Sequence, residues 1–139
     1  MVKVAFIGTG SMGGSMSRNL AAAGIDITVF DLNKESLKKP AAAGAKVADS
    51  AVQCVSSADV LITMLPTPQI IESVMINDGV AKAMKANSMW IDMSTSVPEA
   101  ALNVKANLNQ SVAMIDAPVA GMSVGADKGT LSIFAGGNA

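Results

Sequence analysis

The chain has no histidine and no tyrosine, a single cysteine, and only three Phe and one Trp among 139 residues. Each shortage closes a class of chemistry. Without His there is no Ser-His-Asp or Cys-His nucleophile and no imidazole metal site. One cysteine, Cys54, makes neither an internal disulfide nor a thiolate cluster, so no metal site is expected and a reducing cytoplasm is the simplest location. Cys54 itself reads as a small buried hydrophobe in a helix. Any acid–base group must be Lys, Asp, Glu or a hydroxyl. Charge is balanced, 10 basic against 11 acidic residues, with no basic run and almost no aromatic stacking surface, so nucleic acid is not an expected partner. No stretch of about 20 apolar residues occurs, which argues against a membrane span. The start, Met1-Val2-Lys3, enters a strand directly and lacks a secretory apolar region and cleavage site.

What is present is aliphatic. Half of the residues are hydrophobic, ten of them Met, so Ala, Val, Ile, Leu and Met must fill the core. That suits a parallel sheet covered by helices on both faces, with Met as soft core filling. The length fits one domain.

The first 31 residues organise the rest. Val2 to Ile7 is a short apolar run with β-branched residues, expected as a buried strand. Gly8, Gly10 and Gly13 then supply G-x-G-x-x-G. Met12, Met16, Leu20 and Ala23 follow at helical spacing, and Gly24 is a natural helix stop. Asp26 to Phe30 is a second strand ending in Asp31. Strand, glycine turn, helix, strand and acid in this order are the context of a dinucleotide site. Gly8 permits a tight turn, Gly10 lets a pyrophosphate approach the backbone, and Gly13 lets the helix pack on the sheet. Free N–H groups and the positive end of the helix dipole face the anion. Asp31 lies 18 residues after Gly13, near the spacing of about 20 expected for the acid that binds the adenosine ribose. A 2′-phosphate there would meet a like charge, so NAD is favoured over NADP.

Further along, Asn33 caps a helix to Ala43, with Pro40 awkward inside it. Lys46 to Ala48 is a short strand. Ser50 and Gln53 form a capping box for a helix to about Ser57. Asp59 to Leu65 is a central strand, broken by Pro66-Thr67-Pro68 at the carboxyl end where open α/β sheets bind ligands; the same residues serve as a helix cap with Pro at the first position. Gln69 to Ile76 and Val80 to Met84 are helices, and Met89 to Met93 a fifth strand. Ser96 and Glu99 read as a capping box for a helix to about Asn109, striped by Ala101, Val104 and Leu108. Ser94 and Thr95 stand outside that cap, with hydroxyls available to a ligand. Val112 to Ile115 is a sixth strand, Asp116 to Gly129 a loop, Thr130 to Ala135 a seventh apolar strand, and Gly136 to Ala139 a turn. The loop's glycines do not form G-x-x-x-x-G-K-[ST], so it is not a Walker loop. The fold class is therefore α/β: a doubly wound, mostly parallel sheet of the Rossmann type, with helices on both faces.

Four stretches in order carry a resemblance: F-I-G-T-G-S-M-G-G-S-M (6–16), I-T-M-L-P (62–66), D-M-S-T-S-V-P (92–98) and D-A-P-V-A-G-M-S-V-G-A-D-K-G-T-L (116–131). Together they resemble the NAD-binding domain of the β-hydroxyacid dehydrogenases, the family of 3-hydroxyisobutyrate dehydrogenase, tartronate semialdehyde reductase and 6-phosphogluconate dehydrogenase. The resemblance implies that residues 1–139 are the dinucleotide-binding domain of a longer oxidoreductase that forms a homo-oligomer. Such an enzyme moves hydride between NAD and a small β-hydroxyacid. It implies cofactor-binding roles for Gly8, Thr9, Gly10, Ser11, Met12, Gly13, Asp31, Leu65, Pro66 and Thr95. It places the substrate against Ala120, Gly121 and Met122. Asp31-Leu32 is similar to the NAD-using members, which makes NADP the weaker candidate. No catalytic residue is carried over, because the family's acid–base Lys lies on the first helix after this domain and Lys128 matches no such position. Where the family usually has Ser and a second Gly, this chain has Ala120 and Met122, so the substrate pocket departs from the pattern. Two other readings stand beside this one: a stand-alone dinucleotide-binding or sensing module, and an imine-reductase-like relative on the same scaffold.

Overall fold

A computed structural model describes residues 1–137. The chain alternates strands and helices: β1 Lys3–Ile7, α1 Gly13–Ala22, β2 Asp26–Phe30, a 3-10 turn Lys34–Leu37 running into α2 Lys38–Ala42, β3 Lys46–Val47, α3 Ala51–Val55 and β4 Val60–Thr63. The second half continues with α4 Pro68–Glu72 and a π-turn Ser73–Asn77, then α5 Val80–Ala83, β5 Met89–Asp92, α6 Pro98–Lys105, β6 Ala113–Asp116, β7 Val119–Ala120, α7 Met122–Lys128, β8 Ser132–Ile133 and β9 Gly136–Gly137. The main sheet has seven strands in the order β3-β2-β1-β4-β5-β6-β9. Its first six are mutually parallel, and β9 closes the edge antiparallel to β6. This is the doubly wound order of a Rossmann fold, with the direction of winding reversing between β1 and β4.

β1 shows why an aliphatic sequence selects this architecture. Its side chains alternate between two cores: Ala5 and Ile7 pack with Leu61, Ile71, Met75 and Trp90 on one face, while Val4 and Phe6 pack with Met16, Ile27, Val29 and Leu37 on the other. A strand covered on both faces needs no polar side, so it reads as a continuous apolar run. Cys54 is buried among the first set, and burial pushes its thiol up to about 12, which leaves it unreactive at neutral pH.

Three expected helix starts hold. Asn33 accepts from the Glu35 amide, Ser50 from the Gln53 amide, and Thr67 from the Ile70 amide with Pro68 at the first turn. The helix from Asn33 is split into a 3-10 turn and α2, and the helix after Pro68 turns from α to π at Ser73. The expected Ser96–Glu99 capping box does not form. The cap position falls on Val97, whose side chain caps nothing, and the Ser96 hydroxyl is buried without a partner. The helix there ends at Lys105, not Asn109, and it buries Ala100 and Val104, not Ala101.

The C-terminal expectations need larger corrections. Residues 116–129 are not a loop: β7 and α7 lie within them. The expected strand Thr130–Ala135 reduces to Ser132–Ile133, exposed and paired antiparallel with Val119–Ala120 in a separate ribbon. Gly136–Gly137 is not a turn but the edge strand β9; the rest of that expected turn, 138–139, lies outside the described residues. Among the described residues no helix is long and apolar enough to cross a membrane, and no group of three or more His, Cys, Asp or Glu gathers for a metal ion.

Candidate functional site

The winding reversal opens a cleft of about 390 Å³ at the carboxyl ends of β1 and β4. Gly8, Gly10, Ser11, Met12 and Gly13 form one wall, Phe30, Asp31 and Leu32 the rim after β2, and Met64, Leu65, Pro66, Ile70 and Val74 the opposite wall. The glycine turn is shaped by close backbone contacts. Gly8 has φ +100°, and a Cβ there would run into the Met64 carbonyl. A Cβ on Gly13 would run into the Gly8 carbonyl, whereas one on Gly10 would meet nothing within 4 Å. Gly8 and Gly13 therefore serve the fold, and Gly10 keeps the cleft floor bare.

The amides of Gly10, Ser11 and Met12 donate to no group among the described residues. They sit at the start of α1, whose buried first half runs Gly13, Gly14, Ser15, Met16, Ser17 with no acidic residue in its first turn. Unpaired donors at the positive end of a helix are a fitting cradle for a pyrophosphate. Asp31 is fixed at the rim by two backbone donors: Thr9 N–H to Oδ2 at 2.8 Å and Asn33 N–H to Oδ1 at 2.8 Å. Each oxygen keeps a lone pair for a ribose hydroxyl. Asp31 thus ties the glycine turn to the ribose end of the cleft. Spacing alone does not reveal that link.

Of the residues expected at the cofactor, Gly8, Gly10, Ser11, Met12, Gly13, Asp31, Leu65 and Pro66 line this cleft. Thr9 does not. It is buried, and its hydroxyl pairs with Ser36 Oγ at 2.9 Å beneath the turn. Thr95 is exposed just after β5 and outside the cleft wall. Ser94 was expected to offer its hydroxyl to a ligand; it is fully buried and accepts from the Leu65 amide at 2.8 Å. The sequence reading missed Ile70 and Val74, which line the cleft one helical turn apart after Pro68, and Met64. Their i, i+4 spacing on the helix that follows the strand break was the available signal.

Ala120, Gly121 and Met122 stand apart from the cleft, all exposed, at the junction of β7 and α7. Met122 has φ +58°, a left-handed conformation that costs a side-chain-bearing residue about 1 kcal/mol. A polar clamp fastens this segment to the cofactor helix. Lys39 Nζ donates to Asp127 Oδ1 at 2.7 Å, the Ser15 hydroxyl donates to the same oxygen, Arg18 Nη2 donates to the Asp127 carbonyl at 2.7 Å, and Asn19 Nδ2 donates to the Ala126 carbonyl at 2.8 Å. The Lys39 ammonium, with the Ser15 hydroxyl, holds the Asp127 carboxyl below the usual range.

Comparison with known proteins agrees with this geometry. A family model described as the NAD binding domain of 6-phosphogluconate dehydrogenase matches residues 3–139. A 3-hydroxyisobutyrate dehydrogenase from Pseudomonas aeruginosa is 42% identical over 141 aligned positions, covering 100% of this chain and 47% of the relative. An NAD-dependent L-serine dehydrogenase from the same organism is 40% identical with the same coverage. The solved structure of the Mycobacterium tuberculosis 3-hydroxyisobutyrate dehydrogenase with L-serine superimposes with TM-score 0.89 at 34% identity, covering 99% of this chain and 47% of that one. The chain spans about half the length of the curated relatives it matches.

Proposed function

Since the chain belongs to the family of the NAD-binding domain of 6-phosphogluconate dehydrogenase, we propose that it is the cofactor-binding domain of an NAD-dependent dehydrogenase acting on a small hydroxyacid of the 3-hydroxyisobutyrate or serine kind. One observation carries the reading: a bare glycine turn with unpaired amides, tied to Asp31 at the rim, lines a cleft at the winding reversal. The amides of Gly10, Ser11 and Met12 hold the pyrophosphate, with Gly8 and Gly13 shaping the turn. Asp31 takes the adenosine ribose hydroxyls, and its negative charge disfavours a 2′-phosphate, so NAD is preferred to NADP. Leu65 and Pro66 pack on the ribose–diphosphate stretch, and Thr95 lies toward the nicotinamide half. Ala120, Gly121 and Met122 border the substrate.

Bound NAD supplies the hydride acceptor. The chain's own residues orient it and exclude water along an apolar wall of Leu65, Ile70 and Val74. Among the described residues Asp31 is the only titratable group on the cleft wall, and it faces the ribose end, so the acid–base catalyst for the hydroxyl proton comes from outside these residues, as the coverage of the relatives allows. The matched relatives support a hydroxyacid substrate through their names. Calorimetry of this chain with NAD and NADP tests the cofactor part: saturable binding of NAD, tighter than NADP, is expected, and no binding of NAD at millimolar concentration overturns it. Assay of a longer chain that includes the region C-terminal to Ala139 with 3-hydroxyisobutyrate and serine tests the reaction. Absence of NAD reduction with every short 3-hydroxyacid overturns that part.

A further inference from the structure

The D-M-S stretch that ends β5 does more than lead into α6. A continuous line of hydrogen bonds passes through four side chains with at most 1% of their surface exposed. Trp90 Nε1 donates to Thr63 Oγ1 at 2.9 Å. The Thr63 hydroxyl donates to Asp92 Oδ1 at 2.9 Å. The same carboxylate oxygen accepts the Ser94 amide at 3.1 Å. Ser94 Oγ then accepts the Leu65 amide at 2.8 Å. Leu65 stands in the cleft wall, and the Met64 carbonyl beside it presses on Gly8. The line therefore starts at the only Trp of the chain and ends at the Leu65 amide, in the loop that packs against the glycine turn.

We infer that Ser94, oriented by Asp92, is a positioning residue for the cofactor: it holds the 64–66 loop against Gly8 and so fixes the spacing between the two walls of the cleft. The inference rests on the reading that NAD occupies that cleft. A buried carboxylate is a costly way to fill a core, since burial disfavours its charge and an apolar residue of similar size packs there without that cost. Desolvation pushes the Asp92 carboxyl up despite its donors Ser94 and Thr63, and Asp116 on the neighbouring strand adds to the rise. Among the described residues no cation offsets it. The arrangement makes sense as an aiming device, because a carboxylate accepting two donors at one oxygen fixes directions that apolar contacts leave free.

The test uses this chain with Ser94→Ala, with Thr63→Val as a second variant that keeps shape but removes the donor to Asp92, and with Val104→Ala as a control that lowers stability from α6, in the same core but off the cleft wall. Two quantities are read: exchange of the Leu65 backbone amide by NMR, and the Kd for NAD by calorimetry. In Ser94→Ala the Leu65 amide is expected to exchange at least about tenfold faster, and the NAD Kd to rise about five- to tenfold, as for one lost hydrogen bond. Thr63→Val moves both in the same direction by less. Val104→Ala leaves the NAD affinity unchanged although it melts earlier. Equal amide exchange in Ser94→Ala and the unaltered chain overturns the inference. So does an affinity loss in Val104→Ala matching that of Ser94→Ala, and so does an unchanged Kd in both Ser94→Ala and Thr63→Val. If the unaltered chain fails to bind NAD, the cofactor reading falls on its own, and the Leu65 amide still decides whether Ser94 holds the loop.

Discussion

Gly13 rests backbone to backbone on Gly8: a methyl group added to Gly13 would take the place of the Gly8 carbonyl oxygen. A flexible side chain could shift to make room for a methyl group, but two backbones in contact cannot. Gly13→Ala is therefore expected to destabilise the fold by about 3 kcal/mol, the upper part of the range for overpacking, and to lower NAD affinity with it. Gly10 behaves oppositely, because a methyl there meets nothing within 4 Å. Gly10→Ala should leave the stability within about 0.5 kcal/mol and still weaken NAD binding at least about tenfold, by standing where the pyrophosphate approaches. Thermal unfolding and calorimetry on the two variants check this contrast. Equal loss of stability in both would show that the turn, and not the ligand, requires Gly10.

Asp31 carries two duties, and its substitution separates them. Asp31→Ala removes the ribose acceptor, at a cost to NAD binding of about 1–3 kcal/mol for charge-assisted hydrogen bonds. It also strands the amide of buried Thr9, which donates to Asp31 Oδ2 at 2.8 Å, so stability falls by about 1–2 kcal/mol. Asp31→Asn loses the charge but keeps one oxygen acceptor, enough for the buried Thr9 amide while the exposed Asn33 amide turns to water. It is expected to restore part of the stability while discrimination against NADP stays relaxed. Affinities for NAD and NADP, measured with melting temperatures on both variants, test the division. Unaltered preference for NAD in both variants would make Asp31 a bystander in cofactor choice.

The strand–turn–helix–strand–acid pattern is legible in the sequence because every part of it is local. Glycines at fixed spacing, an apolar run and a terminal acid each follow from near neighbours. The caps at Asn33, Ser50 and Thr67 are legible for the same reason. What stays hidden depends on the third dimension. Helix α7 contains Ser123 and Gly125, poor helix formers, and is held to α1 and α2 by Asp127, Arg18, Asn19 and Lys39, so its sequence reads as a loop. Thr9 and Ser94 carry hydroxyls in motifs that face ligands, yet both turn inward to partners 27 and 29 residues away. No spacing rule reports which way a hydroxyl at a strand end points.

One misread cap gives a stability prediction. The start of α6 has Ser96 one residue too early: its hydroxyl is buried and unpartnered, while the exposed Val97 occupies the cap position with nothing to offer the helix amides. Exchanging the two, Ser96→Val with Val97→Ser, removes an unsatisfied polar atom and supplies an N-cap. A cap of this kind contributes about 1 kcal/mol, and relief of the buried hydroxyl about 1 kcal/mol more. The double variant is expected to unfold at higher denaturant concentration with an unchanged slope. Val97→Ser alone should deliver about half of the gain. A midpoint that stays put or falls would mean that the Ser96 pocket cannot take the larger side chain.

The pH dependence of stability has two opposed sources, and Asp92 isolates one. Lys46 holds Asp26 below the usual carboxylate range, the Lys3 amide and Lys85 hold Asp59 below it, and Lys39 holds Asp127 below it. Each of these is charged in the fold before it is charged in the unfolded chain. Their contribution is present above the ordinary carboxylate value and fades as pH falls through their lowered values. Asp92 runs the other way. Burial raises its folded value, so between the ordinary value and the raised one the fold binds a proton that the unfolded chain has released, and stability falls as pH rises through that window. Asp92→Asn keeps an acceptor for Thr63 and the Ser94 amide and removes only this titration. The stability of the unaltered chain minus that of Asp92→Asn should therefore be largest near about pH 4, shrink as pH rises, and level off above the raised value of Asp92. Denaturant midpoints of both chains across that range measure the difference. A difference that grows with pH would mean that the Thr63 hydroxyl and the Ser94 amide stabilise the charged carboxylate more than burial opposes it, and Asp92 would then hold the line from Trp90 to Leu65 as an anion.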